Sequence, residues 1–152
     1  MPRKVHVIDG PNLNLLGLRE PHIYGLGSLE EIRGCLLDRA KSFDVNLSFF
    51  QSNHEGAMID EIQSLAAKKI DWLIINPGGL THTSISLRDA ILAVNVPAIE
   101  VHVSNPYTRE MFRQKSYIAD VVKGRIMGLG GFGYVVALEY CAYNLGLKET
   151  FV

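Results

Sequence analysis

The distribution of apolar residues along the chain predicts five strands connected mainly by helices. Apolar runs of strand length occur at residues 5–8, 45–50, 72–75, 98–103 and 125–129. Segments with apolar residues at helical spacing separate most of these runs, which is the alternation expected of βαβ units. Because the strands are continuously apolar, the pattern predicts a parallel sheet with helices on both faces, a doubly wound α/β fold.

The helical segments carry recognisable start and stop signals. Ser28 and Glu31 form a capping box, Thr83 and Ser84 are candidate caps, and the last helix is expected to end near Gly146. The residues predicted to face the core are Ile32, Cys35, Leu36, Ala40 and Phe43 in the first helix, Met58, Ile59, Ile62, Leu65 and Ala66 in the second, Leu87, Ala90, Ile91 and Val94 in the third, and Val135, Val136, Tyr140 and Tyr143 in the last. Each helix should therefore pack one apolar stripe on the sheet.

Composition favours one compact domain with a small-molecule ligand. The chain has 152 residues, 47% of them hydrophobic, which suffices for one sizeable core. Fifteen Lys and Arg residues nearly balance 16 Asp and Glu residues, so no nucleic-acid partner is expected. No stretch has the length of a membrane span or the layout of a signal peptide, which predicts a cytoplasmic protein without a membrane partner. Cys35 and Cys141 are expected to be reduced core thiols.

Polar side chains follow four of the predicted strands. Ligands of open parallel α/β sheets bind outside the carboxyl ends of the strands. The polar segments are residues 9–14, residues 51–55, residues 76–84, and Glu100, His102 and Ser104 on the fourth strand. Turn or cap chemistry explains each of them singly, but together they favour a binding site. Free amide groups at the helix start near Ser84 would suit an anion such as a carboxylate.

The connection between the first strand and the first helix is long and contains glycines at both ends. This segment, residues 16–27, is a candidate lid over the site. It holds Arg19 and Tyr24, and a cation near a phenol favours the phenolate, whose pKa in the free residue is about 10. An ordinary surface loop is the alternative interpretation.

Five blocks of this sequence resemble the type II 3-dehydroquinate dehydratases. The blocks are DGPNLNLLG from Asp9, REP and YG around Arg19 and Tyr24, QSNHEG from Gln51, NPGGLTHTS from Asn76, and EVHVSNP from Glu100. Further matches at residues 109–117 and 128–134 extend the resemblance to the last helix. It implies a single catalytic domain over residues 1–152 and a flavodoxin-like fold with strand order 2-1-3-4-5.

The resemblance also implies a reaction. It is the anti elimination of water from 3-dehydroquinate, giving 3-dehydroshikimate through an enolate, with no metal and no cofactor. By resemblance, the Tyr24 phenolate removes a proton from C2, Arg19 keeps Tyr24 ionised, and His102 protonates the leaving hydroxyl. Asn12 would stabilise the enolate through a bound water. Glu100 lies two residues before His102 on the same face of a strand, where it can orient the imidazole.

Substrate contacts and assembly follow from the same resemblance. The implied contacts are the backbone of Val103 and Ser104 for the carboxylate, the side chains of Asn76, His82 and Arg113 for the ring hydroxyls, and Asp89 from a neighbouring subunit. The contact from Asp89 implies a trimer, and four trimers commonly form a homododecamer in this family. Asp9 replaces the usual Asn, which leaves the catalytic roles in place but changes a local hydrogen bond. Aromatic biosynthesis through the shikimate pathway and quinate catabolism would use the same elimination.

The main alternative is a flavodoxin-like nucleotide- or flavin-binding module without this activity. Gly128, Gly130 and Gly133 form a G-x-G-x-x-G pattern after a strand. Only nineteen residues follow Gly133, too few for the helix and the second strand that carries a ribose-binding acid. The glycines are therefore expected to serve close packing of a helix on the sheet.

Overall fold

A computed structural model describes residues 1–18 and 27–147 of the chain. Its strands are β1 (Arg3–Asp9), β2 (Val45–Gln51), β3 (Trp72–Asn76), β4 (Ala98–His102) and β5 (Gly124–Met127). Its α-helices are α1 (Leu29–Lys41), α2 (Glu55–Ser64), α3 (Ile85–Val94) and α4 (Phe132–Asn144). Short 3-10 helices lie at Leu13–Leu15, Gly78–His82, Pro106–Thr108 and Met111–Arg113. None of the helices in these ranges is long and apolar enough to cross a membrane.

The five strands form one parallel sheet in the order β2-β1-β3-β4-β5. This confirms both the doubly wound α/β fold and the predicted strand order. The pairing places Asp9 of β1 opposite Asn76 of β3, and Glu100 of β4 opposite Arg125 of β5. Because the strands are parallel, their carboxyl ends meet at a single edge of the sheet.

Two hydrophobic cores lie on opposite faces of the sheet. On one face, α1 and α4 contribute Leu36 and Leu138 to a core that includes Val7 and Ile74. On the other face, the residues that pack on the sheet include Met58 and Ile62 of α2, Leu65 directly after α2, and Leu87 and Ile91 of α3. The connection from β4 to β5 contains two 3-10 helices and no α-helix.

The predicted core face of the last helix was wrong for Tyr140 and Tyr143, whereas Val135 packs against the core as predicted. The residues of α4 that are buried are Gly133, Tyr134, Ala137, Leu138, Cys141 and Ala142. Tyr140 and Tyr143 are 42% and 38% exposed, and Val135 and Val136 are half-buried. Apolar residues surround most of this helix, so its pattern does not define one face. Gly133, which has no side chain, and the small Ala137 decide the orientation, because they allow a close approach to the sheet.

Smaller corrections concern helix α1 and the helix boundaries. Cys35 is exposed and is not a core thiol, since Ile32, Leu36 and Ala40 form the buried stripe at a spacing of four residues. Only Cys141 is the predicted buried thiol, and both cysteines are free. In the other helices, Ala66 is exposed beyond the end of α2 and Thr83 is exposed, whereas Ile59 and Val94 are half-buried and pack against the core as predicted. Ser84 alone caps α3, where its hydroxyl accepts a hydrogen bond from the Leu87 amide.

Several of the glycines that follow β5 pack against neighbouring elements. Strand β5 ends at Met127, before the predicted residue 129, because Gly128 adopts a φ of 83°. A Cβ atom on Gly131 would lie 2.8 Å from the Ile32 side chain, and one on Gly133 would lie 3.3 Å from Ile126. Within the G-x-G-x-x-G pattern, the packing role is confirmed for Gly133, and a Cβ atom on Gly128 would lie 3.2 Å from Asn105. A Cβ atom on Gly130 would have no neighbour within 4 Å, and this residue instead adopts a φ of 61°.

Candidate active site

A cleft lies at the carboxyl edge of the sheet, where β1, β3 and β4 end. It is lined by the last residues of β3 and β4, Asn76 and His102, and by residues that follow the strands, namely Pro11, Asn12 and Leu13 after β1, Gly78, Gly79 and His82 after β3, and Val103, Ser104, Pro106, Arg109 and Arg113 after β4. The structure therefore brings seven of the predicted site residues together, namely Asn12, Asn76, His82, His102, Val103, Ser104 and Arg113. Glu100 lies directly beneath His102, whereas Arg19 and Tyr24 lie outside the described residues.

The loop after β1 is held close to β3 by tight backbone contacts. A Cβ atom on Gly10 would lie 2.3 Å from the Pro77 carbonyl oxygen, so only glycine fits at this position. Asn12 has a φ of 70°, and its amide donates to the Asn53 side chain at 2.9 Å. The Gln51 amide group donates to the Gly10 carbonyl at 3.2 Å. Gln51 at the end of β2 and Asn53 after it thus support the loop that presents Asn12 and do not line the cleft.

His102 is paired with a buried carboxylate. Its Nε2 lies 2.5 Å from Oε2 of Glu100, which is fully buried. Ser116 donates to Oε1 of Glu100 at 2.9 Å, and Arg125 Nη2 lies 3.0 Å from Oε2. Burial raises the pKa of Glu100, but the hydrogen bond and charge of His102, followed by Arg125, outweigh it and hold that pKa below its usual value. Glu100 is therefore ionised at neutral pH.

An ionised Glu100 defines the chemistry available to His102. A carboxylate accepts hydrogen bonds and does not donate them, so Nε2 of His102 carries a proton in this arrangement. The other ring nitrogen, Nδ1, is then the position that exchanges a proton with a ligand. These properties suit a general acid that operates near neutral pH.

His82 differs from His102 in the ring nitrogen that carries its proton. Its Nδ1 lies 2.7 Å from the Lys115 carbonyl, which only accepts, so Nδ1 carries the proton. Burial lowers the pKa of His82, and the Lys115 carbonyl opposes this effect without reversing it. The ring is thus neutral at neutral pH, with Nε2 as an acceptor. Its centroid lies 6.4 Å from that of His102.

Two arginines give the cleft a positive end. Arg109 donates to the Ser104 hydroxyl at 3.3 Å. Arg113 donates through Nε to Glu110 at 2.6 Å and stacks over Phe112 at 5.1 Å. The guanidinium group of Arg109 beside Ser104, with Arg113 in the same cleft, favours a ligand that carries a carboxylate.

Asn76 is connected to two buried residues behind the cleft. Its Nδ2 donates to the Tyr134 hydroxyl at 3.0 Å, and that hydroxyl donates to Oδ1 of Asp9 at 2.6 Å. The side-chain carbonyl oxygen of Asn76, Oδ1, accepts from the Gly78 backbone amide at 3.1 Å. Burial raises the pKa of Asp9 to about 6, although the Tyr134 hydrogen bond and the Arg33 charge both oppose the rise.

Comparison with known proteins identifies the family to which this fold and cleft belong. A family model described as dehydroquinase class II matches residues 3–142. The chain belongs to the class II dehydroquinase family. It is 52% identical over 144 residues to a catabolic 3-dehydroquinase of Aspergillus clavatus, a match that covers 95% of each chain. It is 54% identical over 142 residues to 3-dehydroquinate dehydratase 1 of Ralstonia nicotianae, covering 93% of this chain and 91% of the relative.

A solved structure of the same family supports the fold. The type II dehydroquinase from Butyrivibrio crossotus is 42% identical and superposes with a TM-score of 0.90. The match covers 92% of this chain and 97% of the other. The predicted family and fold class are therefore confirmed for this dehydroquinase, while the individual roles of the site residues stay predictions.

Sequence reasoning missed several residues that support this dehydroquinase site. They are Arg109 in the cleft, Ser116 and Arg125 against Glu100, and Tyr134 between Asp9 and Asn76. Arg125 could have been found from the strand order, because it lies opposite Glu100 on the neighbouring strand. Asp89, by contrast, is exposed on α3 and does not line the cleft of its own chain.

Proposed function

We propose that this dehydroquinase eliminates water from 3-dehydroquinate to give 3-dehydroshikimate, through an enolate intermediate. The observation that carries the proposal is His102, held by the buried Glu100 carboxylate in a cleft that also contains Arg109 and Arg113. The substrate combines a carboxylate, a ketone and ring hydroxyls, which suit the charge and the polar lining of this cleft. The family and the named relatives support the same activity.

The first test is direct. Adding 3-dehydroquinate to the purified protein should produce an ultraviolet absorbance from the conjugated enone of the product, which the substrate lacks. The signal should grow with time and with enzyme concentration. Absence of this signal from folded protein over a range of pH would reject the proposed function, and a flavin absorbance band in the purified protein would favour the binding-module alternative.

We propose the following division of the chemistry. The Tyr24 phenolate takes the proton from C2, and the electron pair of that bond forms the enolate. Arg19 lowers the energy of the phenolate by its charge. When the enolate returns to the ketone, the C–O bond to the tertiary hydroxyl breaks, and His102 donates the proton with which the hydroxyl leaves as water. Asn12 stabilises the enolate oxygen through a bound water.

The substrate contacts in this proposal use the remaining cleft residues. The backbone of Val103 and Ser104 receives the carboxylate, and Asn76, His82 and Arg113 bind the ring hydroxyls. The Nε2 acceptor of a neutral His82 and the donors of Asn76 and Arg113 can distinguish hydroxyl positions by their hydrogen-bonding direction. We further propose that residues 1–152 form one catalytic domain that works in the cytoplasm, with no cofactor and no nucleic-acid partner.

We also propose that the site is shared between subunits of a trimer, with four trimers forming a homododecamer. Asp89 is exposed on α3 beside Arg88, whose guanidinium is paired with Asp120. In the trimer, Asp89 would contact the neighbouring cleft near Arg113. The cleft of a single chain would then lack the acidic contact that the neighbouring subunit provides.

Replacing Asp89 tests this arrangement. Asp89→Ala should weaken the trimer and reduce activity together, with the largest loss of activity at low protein concentration. If Asp89 only supports its own helix, the substitution should cost less than about 1 kcal/mol and leave assembly unchanged. Asp60→Ala is the matched control, because Asp60 is also exposed in the second turn of a helix. Sedimentation and activity measured over the same concentration range decide the question, and a fully active wild-type monomer would contradict the shared site.

A further inference from the structure

We infer that Asp9 and Arg33 are positioning residues that fix, through Tyr134, the direction in which the Asn76 side-chain amide faces the substrate. Neither residue lines the cleft. Asp9 is fully buried at the end of β1, and Arg33 lies on α1 with Nη2 4.0 Å from Oδ2 of Asp9. The inference rests on the proposed role of Asn76 in binding a ring hydroxyl.

The chain of hydrogen bonds has a single direction when Asp9 is ionised. A carboxylate only accepts, so the Tyr134 hydroxyl must donate its one proton to Asp9. That hydroxyl can then only accept from Asn76, which places the amide nitrogen toward Tyr134 and the carbonyl oxygen toward the Gly78 amide. The Gly78 amide only donates, so both contacts of Asn76 require the same orientation.

Tyr134 is suited to this relay because it keeps its proton. Burial, followed by the charge of Asp9, raises its pKa well above the usual value. The ring is fully buried in α4, with no exposed surface. The remaining N–H of Asn76 and the second lone pair of its carbonyl oxygen are then the groups available to a ligand.

When Asp9 is protonated, the hydrogen bonds from Asn76 through Tyr134 to Asp9 no longer have a single direction. A neutral carboxylic acid can donate to Tyr134, which would then donate to Asn76 and require the amide to turn over. The turned amide would direct its NH₂ group at the Gly78 amide, and that hydrogen bond would be lost. Substrate affinity should therefore fall when Asp9 gains a proton.

Arg33 controls both the charge and the direction of this relay. Among the described residues, the charged or titratable groups that face Asp9 are Arg33 on α1 and Tyr134 on α4, while its register partners on β2 and β3 are the uncharged Gln51 and Asn76. Arg33 also stacks over Phe49 at 5.2 Å, which holds its guanidinium near the sheet. Removing this cation should move the titration of Asp9 to higher pH.

The test compares four proteins, namely wild type, Asp9→Asn, Arg33→Leu and the double variant. In Asp9→Asn the cation favours the new carbonyl oxygen, so the NH₂ group faces Tyr134 and reverses the relay. We expect KM for 3-dehydroquinate to rise about tenfold at neutral pH, the effect of one hydrogen bond, with a smaller change in kcat. The double variant has no cation to orient the amide and should recover KM to within about threefold of wild type.

A second measurement does not depend on activity. The ¹³C chemical shift of the Asp9 carboxyl group, followed against pH without substrate, should titrate near pH 6 in wild type and at higher pH in Arg33→Leu. Arg39→Leu is the matched control, because Arg39 lies on the same helix but pairs with Glu139. Its Asp9 titration should equal that of wild type.

The outcomes separate this inference from the proposed function. Asp9→Asn with unchanged KM between pH 5 and 8, a double variant no better than Asp9→Asn, or an Asp9 titration unaffected by Arg33→Leu would each overturn the positioning role. Failure of the wild type to convert 3-dehydroquinate would instead reject the proposed function, and the Asp9 titration would still report whether Arg33 controls the carboxylate.

Discussion

His102→Ala should lower kcat by about 10²–10⁴, the contribution expected of a general acid, while the fold and substrate binding are retained. His102 is nearly buried and its imidazole is held 2.5 Å from Glu100, so alanine removes both the proton donor and the partner of that carboxylate. Arg125 and Ser116 still contact Glu100, which limits the damage to the surrounding structure.

The His102→Ala variant should retain the first step of the reaction and lose the second. If Tyr24 removes the C2 proton and His102 acts only on the leaving hydroxyl, the variant should still exchange the C2 proton of 3-dehydroquinate with deuterated solvent. Proton exchange, measured by NMR, should therefore persist in this variant, while turnover, measured by absorbance, falls. His54→Ala is the control, because His54 is exposed and does not line the cleft. Loss of both exchange and turnover, with binding intact, would count against separate roles for the two residues.

Tyr24→Phe should lower turnover by a similar factor of about 10²–10⁴, with little change in substrate affinity. The substitution removes only the phenolic oxygen, so a loss of rate without a loss of binding would assign that oxygen to proton removal. Unlike His102→Ala, this variant should lose exchange at C2 as well as turnover.

Tyr140→Phe provides a matched control for the loss of a phenol. Tyr140 is exposed on α4 and packs edge-on against Trp72 with a centroid distance of 5.6 Å. Its substitution should leave both rates unchanged. Turnover of Tyr24→Phe within a few-fold of wild type would remove Tyr24 from the proposed mechanism.

The location of the cleft could be predicted from the sequence, because it depends on a general property of parallel sheets. Asn76 and His102 end apolar strands and Ser104 follows one, and the carboxyl ends of such strands share one edge. The alternation of strand-like and helix-like segments, together with the strand lengths, suffices to place these residues without knowledge of any side-chain contact. The Glu100–His102 pair was predictable for the same reason, since residues two apart in a strand share a face.

Other features depend on contacts between distant parts of the chain. Tyr134 reaches Asp9 across 125 sequence positions, and its helix is apolar on so many sides that periodicity does not indicate which one meets the sheet. Cys35 was misplaced for a related reason, because an apolar residue at the margin of a helical stripe can face either the core or solvent. Such positions are decided by the volumes of side chains on the opposing element.

The buried Asp9 carboxyl also affects the thermodynamic stability of the folded chain. Its pKa rises from an ordinary 3.8 to about 6 on folding, so the native state binds more protons than the unfolded state between these values. For this group alone, stability is greatest below about pH 4 and falls as the pH rises to about 6, by about 3 kcal/mol in total. Paired acidic groups such as Glu100 act in the opposite sense, since a lowered pKa favours folding at higher pH. Ionisation of Asp9, which orders the amide of Asn76, therefore occurs in a pH range in which this group has already lowered the free energy of unfolding.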